Sequence, residues 1–424
     1  MVFCEVNFDA NPNAVYYSGQ TLSGVINITN EKPRKLKALT LRIEGYAKCK
    51  WTETKGSGRH RRTVIYSGRE DYLNTVKYLM GNYNGVETEL SAGFHQFNFS
   101  CVLPLNLPTS FESKYGHIRY QIKVEFERPW KLDLKYSFGF TVIKVYDLNY
   151  DTPAIRAPLK AETTKSFYMG LSSKAVYLSA EIPARGFVAG QSVPITISTN
   201  NESNIDVKEI KVSLKKVIHY NSQTPRTKTR ERIESTSEIR HSGVLRKSKE
   251  NTVVNLFFPA VPPTNITSCS IIQVTYIIQI VAKVGGMHFS PLVRLPVTIG
   301  TVPLQNQTPI QPMLSILNPT DGATSLAPAP SAPFAAHSQG QDLPPPSYQE
   351  AMGMTSTDGD TDEGLTDEKP FSPLYPVLNF GYAYAPTNLG NNLPGGAAPP
   401  PYNLANHNNN NDSTRKEKML DLVH

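Results

Sequence analysis

The feature that most constrains this chain is an internal repeat. Residues 19–30 read GQTLSGVINITN and residues 190–200 read GQSVPITISTN: Gly-Gln, an apolar strand, then Thr-Asn. Further along, residues 97–99 lead into LPLNLPTS and, after a spacer, IRYQIKV; in the second half Phe257 and Phe258 lead into PAVPPTNITS and then IIQVTYIIQI. Each copy is a strand, a proline-rich connection carrying Pro-Thr, and a strand with a central tyrosine, Tyr120 or Tyr276. The offsets between copies are 171 residues for the glycines and 156 for the tyrosines, a difference that loop lengths absorb. A chain that repeats its strands in order at that spacing is expected to fold as two like domains of about 150 residues each. Chance likeness between strand-turn-strand patterns is the bland alternative, and two ordered matches in one register argue against it.

Residues 22–28, 36–43, 120–126, 210–214 and 274–281 are rich in Val, Ile, Tyr and Phe. Each shows alternation or a short apolar run bounded by Gly, Pro, Asn or Ser. No long helical stripe is present. Strands at this density predict all-β sandwiches: one domain over 1–150, a second over 164–303, and a proline-bearing join at 151–163. From residue 304 the composition changes. The last 121 residues hold 17 of the 33 prolines, with twelve acids and four bases, whereas the chain as a whole carries +7. The body is therefore basic, and the tail over 304–424 is acidic, proline-rich and expected to be largely disordered.

Met1 to Ala10 lacks the basic and apolar regions of a secretory signal, no apolar run reaches the ~18 residues that cross a bilayer, and no lipidation box is present. The four cysteines are widely spaced, which fits reduced thiols better than a disulfide framework or a zinc site. The expected location is the cytoplasm. Enzyme signatures are missing: there is no G-x-S-x-G, no P-loop, no H-E-x-x-H and no metal-spaced His/Cys set, so neither catalysis nor a cofactor is expected.

The tail carries two Pro-Pro-x-Tyr motifs, Pro345-Pro346-Ser347-Tyr348 and Pro399-Pro400-Pro401-Tyr402. Consecutive prolines preform a polyproline II helix, which loses little entropy on docking into the aromatic groove of a WW domain, while the tyrosine fills a neighbouring pocket. The two tyrosines lie 54 residues apart. A flexible linker of that length spans roughly 40 Å r.m.s., enough to engage two WW domains of one partner. A third, degenerate candidate has a single proline before the tyrosine: Pro373-Leu374-Tyr375.

Basic residues form two further groups. Arg59, Arg61 and Arg62 fall in a Gly/Ser-containing loop with Lys55 and His60. The second group includes Lys208, Lys211, Lys215 and Lys216, then Arg226, Lys228, Arg230 and Arg232. Alternation with Ile210, Val212 and Leu214 puts Lys211 and Lys215 on the opposite, solvent face of their strand. These groups suit either phosphorylated receptor tails or anionic lipid headgroups; a solvated strand face beside a loop is the plainer reading. Nucleic acid is not an expected partner, because no aromatic residues interleave with the basic ones.

The segments YYSGQTLSGVINI and AGFHQFNFSCVLPLNLPTSFESKYGHIRYQIKV, with Leu103-Pro104, Leu107-Pro108, 110–112 and 116–120, resemble the arrestin N-domain. ERPWK at 127–131 is similar to the α-arrestin form. The resemblance covers about 300 residues and implies two arrestin-like sandwiches whose concave faces bind partners. It further implies an adaptor that holds membrane receptors or transporters through the body and recruits WW-domain HECT-type ubiquitin ligases through the tail. Such an adaptor would promote cargo ubiquitination and endocytosis at the plasma membrane and endosomes. A coat or sorting subunit of the same fold, acting in endosomal trafficking without a ligase, is the alternative. No ionic latch between the domains can be located by motif.

Overall fold

The computed structural model describes residues 2–9, 11–82, 84, 86–167, 174–286, 288–305, 356–357 and 371–378. The first domain opens with β1 (Val2–Phe8), β2 (Val15–Tyr17), β3 (Thr21–Asn30), β4 (Arg34–Leu36), β5 (Ala38–Lys55) and β6 (Arg62–Gly81). It continues with β7 (Thr88–Leu90), β8 (Gly93–Val102), β9 (Phe111–Ser113), β10 (Gly116–Glu127) and β11 (Leu134–Ile143). The second contains β12 (Leu159–Phe167), β13 (Lys174–Ile182), β14 (Gly186–Val188), β15 (Ser192–Asn201) and β16 (Val207–Ser222). It closes with β17 (Lys228–Ser242), β18 (Ser248–Phe257), β19 (Ile272–Val284) and β20 (Leu292–Gly300), and β21 (Ser356–Thr357) lies in the tail. Helical geometry among the described residues is limited to short 3-10 turns at Gly58–His60, Leu148–Tyr150 and Pro153–Arg156.

Period-two patterning sets these strands. In β10 the residues Ile118, Tyr120, Ile122, Val124 and Phe126 are all buried, while those between them reach solvent. β19 does the same with Ile272, Val274, Tyr276, Ile278 and Ile280. Each domain is two sheets packed face to face. In the first, β1-β3-β8 covers β2-β11-β10-β5-β6; in the second, β12-β13-β15-β18 covers β14-β20-β19-β16-β17. The short β2 and β14 both add in parallel to the edge, against β11 and β20, while the other pairings of the two main sheets are antiparallel.

The repeat in the sequence is a repeat of hydrogen bonds. Gly19 (φ +89°) and Gly190 (φ +96°) occupy the left-handed region that favours glycine. The next residue closes the turn in both copies: Gln20 Oε1 accepts from the Tyr17 amide at 2.8 Å, and Gln191 Oε1 from the Val188 amide at 2.7 Å. Thr109 Oγ1 accepts from the Lys144 amide and Thr264 Oγ1 from the Ile299 amide, each at 2.9 Å. The buried hydroxyls of Tyr120 and Tyr276 donate to the Pro108 and Pro262 carbonyls, each at 2.6 Å. The Pro-Thr connections and central tyrosines thus match because both domains tie the proline segment to the core in one way.

The second sandwich starts ahead of residue 164. β12 runs from Leu159 and pairs with β13 along its full length, so the join is confined to the residues before it. All four cysteines are free thiols. Burial pushes Cys4 and Cys269 up to about 12 and Cys49 up to about 11, so these three are not thiolate nucleophiles at neutral pH.

Candidate functional site

The two sandwiches belong to one compact unit and meet along a seam built by their longest hairpins. β5 and β6 span 38–81, and β16 and β17 span 207–242. Ser67 of β6 exchanges backbone hydrogen bonds with the turn after β16: its amide donates to the Thr224 carbonyl at 3.0 Å, and its carbonyl accepts from the Gln223 amide at 2.8 Å. Gly68 is there because a Cβ would lie 3.1 Å from the Asn221 carbonyl and 3.2 Å from both Cys49 Sγ and Ile271 Cγ2. Aromatic and ionic contacts extend the seam. Tyr115 meets Tyr220 edge-on at 5.8 Å, and the Arg230 guanidinium lies 4.1 Å from the Tyr115 ring centre. Lys228 reaches Glu53 at 2.5 Å, and Glu70 accepts from the Ser270 amide at 3.2 Å.

Glu234 is the polar centre of this seam. Its carboxylate takes Lys216 at 2.9 Å, Arg232 at 2.6 Å and the Ser113 hydroxyl of the first domain at 2.9 Å. Burial works against its charge, but the hydrogen bonds from Arg232 and Lys216 outweigh that and hold its pKa at about 2. Lys216 shares the alternation of Ile210, Val212, Leu214, Ile218 and Tyr220, so it sits on the inward face of β16, where its ammonium also lies 5.4 Å from the Phe111 ring. Sequence reading could not locate this latch, because Ser113 and Glu234 are 121 residues apart and no motif links them. Beside the seam, Thr109, Lys144, Tyr146, Asn265 and Ser268 line a cleft of about 240 Å³, in which Lys144 Nζ donates to Ser268 Oγ at 2.7 Å.

The tail crosses this junction. β21 pairs with β11 at Tyr136 and Lys135, and residues 371–378 then lie against both domains. Phe371 packs over Gly139, where a Cβ would come within 2.8 Å of its ring. The Leu374 amide donates to Thr141 Oγ1 at 3.2 Å, the Tyr375 hydroxyl donates to the Ser110 carbonyl at 2.9 Å, and the Leu378 amide donates to the Ala189 carbonyl of the second domain at 3.1 Å. Burial drives the Tyr375 pKa far upward. Pro373 and Tyr375, the degenerate motif, are therefore part of an ordered strap whose tyrosine points into the body. This gives eight residues of the tail a defined place on the body, and the reason is local: Phe371 packs over Gly139, and Leu378 packs against the core.

The other expected site residues fall in separate places. Pro345, Pro346, Tyr348, Pro399, Pro400 and Tyr402 lie outside the described residues. Arg61 and Arg62 are exposed at the β5–β6 turn; of Arg59 only the backbone, in the Gly58–His60 turn, is described. Lys211 is paired with Glu238 at 2.5 Å and Lys215 is half-buried. The solvent faces of the smaller sheets carry exposed apolar residues instead. Phe3 and Phe94 flank Thr29 across β1-β3-β8, and Tyr177, Val253 and Phe257 lie on the corresponding sheet of the second domain. Among the described residues no helix is long and apolar enough to cross a membrane, and no group of His, Cys, Asp and Glu has a metal-binding arrangement.

Two like sandwiches joined by a polar seam and strapped by the tail define an arrestin-type protein. Residues 4–149 match the family model described as the arrestin (or S-antigen) N-terminal domain, and residues 172–304 match its C-terminal domain. The chain belongs to the arrestin family, in its α-arrestin branch. It is 28% identical over 333 residues to arrestin domain-containing protein 17 of Caenorhabditis elegans, covering 74% of each chain. It is 27% identical to human arrestin domain-containing protein 1 over 75% of this chain and 68% of the relative. It is 28% identical to mouse arrestin domain-containing protein 4, over 70% of this chain and 71% of that one. Arrestin-domain proteins are, as a class, trafficking adaptors and generally non-enzymatic.

Proposed function

We propose that this chain is a non-enzymatic trafficking adaptor that couples membrane cargo to a WW-domain HECT-type ubiquitin ligase. The observation that carries the reading is the pair of Pro-Pro-x-Tyr motifs ending at Tyr348 and Tyr402, attached to an arrestin body. Consecutive prolines favour the polyproline II geometry that WW domains bind, and two motifs 54 residues apart on one chain raise the effective concentration of the second contact. The mechanism is positional. The body holds a receptor or transporter, with the exposed apolar residues of its smaller sheets as the cargo-facing candidates, and the tail brings the ligase within reach of the cargo's lysines. The working locations on this reading are the cytoplasmic faces of the plasma membrane and endosomes.

The test is capture of the full-length chain by a tandem WW-domain fragment, wild type beside Tyr348→Ala/Tyr402→Ala. The expected result is loss of capture in the double variant with an unchanged thermal transition. Undiminished capture would overturn ligase recruitment through these motifs.

A further inference from the structure

The β10–β11 turn, residues 128–133, reads RPWKLD and is built in an unusual way. Trp130 is 99% exposed and adopts φ +60°, a region that bulky residues rarely enter. The turn is held shut from below. The Arg128 guanidinium donates through Nε to the Leu132 carbonyl at 2.6 Å, with a second bond from Nη2, and the Arg128 amide donates to Asp133 Oδ1 at 3.1 Å. These bonds fix a tight loop whose tip is the indole, with Leu132, 64% exposed, beside it. The chain's other tryptophan, Trp51, is 3% exposed and stacked on Tyr66 at 5.5 Å, as burial would dictate. A strained backbone that presents a large aromatic ring wholly to water is suited to a contact outside the domain.

The surroundings specify that partner. Lys131 is exposed on the same loop, and Lys135 follows it on β11. The Lys37 amide donates to the Glu127 carbonyl at 2.8 Å, which brings the 31–37 segment, containing β4, alongside with Lys32, Arg34, Lys35 and Lys37. The acids facing this end are Glu31, Glu127 and Asp133, with Glu89 on β7; Glu125 is taken by Lys135 at 3.7 Å. Cations are in excess, and the apolar tip projects from them as a convex point. A protein pocket would match a rimmed apolar patch. A protruding amphipathic indole with a leucine beside it, ringed by lysines, matches the headgroup layer of an anionic bilayer, where tryptophan is enriched and lysines are attracted to the surface.

We propose that the Trp130 loop is a membrane-interface anchor: Trp130 and Leu132 enter the headgroup–acyl boundary while Lys131 and the 31–37 lysines meet anionic lipid. The anchor is distinct from the Arg59–Arg62 turn and from the tail motifs, so it stands or falls independently of ligase recruitment. One indole and one leucine give reversible attachment, suited to a chain that also holds a membrane-bound cargo.

The test uses the full-length chain with phosphatidylcholine vesicles containing or lacking 30 mole per cent (~30%) phosphatidylserine, a content that gives the anionic surface the lysines require. Trp130→Gly is the diagnostic variant, because glycine accepts φ +60° and the loop keeps its shape. Wild type is expected to co-sediment with the anionic vesicles and to be released by salt. Trp130→Gly should bind on the order of tenfold more weakly while melting at the wild-type temperature or above. Each lysine changed to glutamine in the 31–37 segment should cost roughly fivefold. In a Trp51→Phe background the emission of Trp130 should shift to the blue and be quenched by brominated lipid. Should that background unfold, the same quenching is read on wild type, whose Trp51 is shielded. Equal vesicle binding by wild type and Trp130→Gly, or an emission that stays red and unquenched, overturns the proposal. Capture of the loop by a protein partner without any vesicle binding overturns it as well.

Discussion

Glu234 shows how much a single side chain decides at the seam. It accepts from Lys216, Arg232 and, across the domains, Ser113. Its folded pKa of about 2 lies below the ~4.3 of an unfolded glutamate, so the folded state favours the ionised form. The stabilisation is therefore fully present above about pH 5 and is lost as pH falls through about 4 toward 2. A quarter of the side chain is still open to solvent, which screens the effect to about 1–2 kcal/mol. Thermal melts of wild type and Glu234→Gln should thus differ most at pH 7, by roughly half as much at pH 3, and converge only as pH falls to about 2 and below. A constant difference across that range would assign the effect to packing and not to charge. Lys216 carries the matching lesson about legibility. Its place in β16 follows the alternation visible in the sequence, yet a lysine on an inward position reads as an exception until the partner strand supplies Glu234. Lys211, by contrast, stands on the outward face that the alternation requires, and only the β17 register reveals Glu238 diagonally across from it, two residues before the Arg240 it faces.

At the scale of the element, the strap over residues 371–378 is the part of the structure furthest from what local patterning states. The segment FSPLYPVL has no strand period, and its neighbouring prolines forbid a helix, so nothing local assigns it a place. What holds it is the shape of the surface it meets. Gly139 leaves room for the Phe371 ring, and at Gly190 a Cβ would stand 2.8 Å from the Val377 side chain and closer still to the Leu378 carbonyl. Gly139→Ala is the cleaner probe, since its φ is ordinary for strand and its effect falls on the strap alone. It should leave the domain melt within about 1 kcal/mol of wild type, while amide exchange at Leu374 and Leu378 accelerates at least roughly tenfold. Unchanged exchange would show that the Tyr375–Ser110 and Leu378–Ala189 bonds hold the strap without the phenylalanine. The strands themselves were readable at this scale. The segments 22–28, 120–126, 210–214 and 274–281 all lie within β3, β10, β16 and β19, because a half-buried strand writes its period into adjacent residues.

Across the whole molecule the two sandwiches act as one body only while the hairpins interlock. Gly68→Val is expected to force the β6 backbone away from Asn221 and Ile271, opening the seam. The far-ultraviolet circular dichroism of each sandwich should persist, while small-angle scattering reports a larger radius of gyration; an unchanged radius would show that the polar contacts at Glu70, Glu234 and Lys228 suffice. The sequence by itself determined the fold class, the duplication and the tail motifs, since each is carried by residues close together along the chain: alternation, the Gly-Gln turns, the Pro-Thr connections and the two Pro-Pro-x-Tyr segments. Only the tertiary structure decided which charges are neutralised, where the tail lies and which aromatic residue faces water. The seam and the strap depend on residues more than a hundred positions apart, such as Ser113 with Glu234, Glu70 with Ser270 and Ser110 with Tyr375, while the Lys211–Glu238 pair and the Trp130 loop depend on strand register and a closed turn; no local period records a contact that the chain makes only after it has folded.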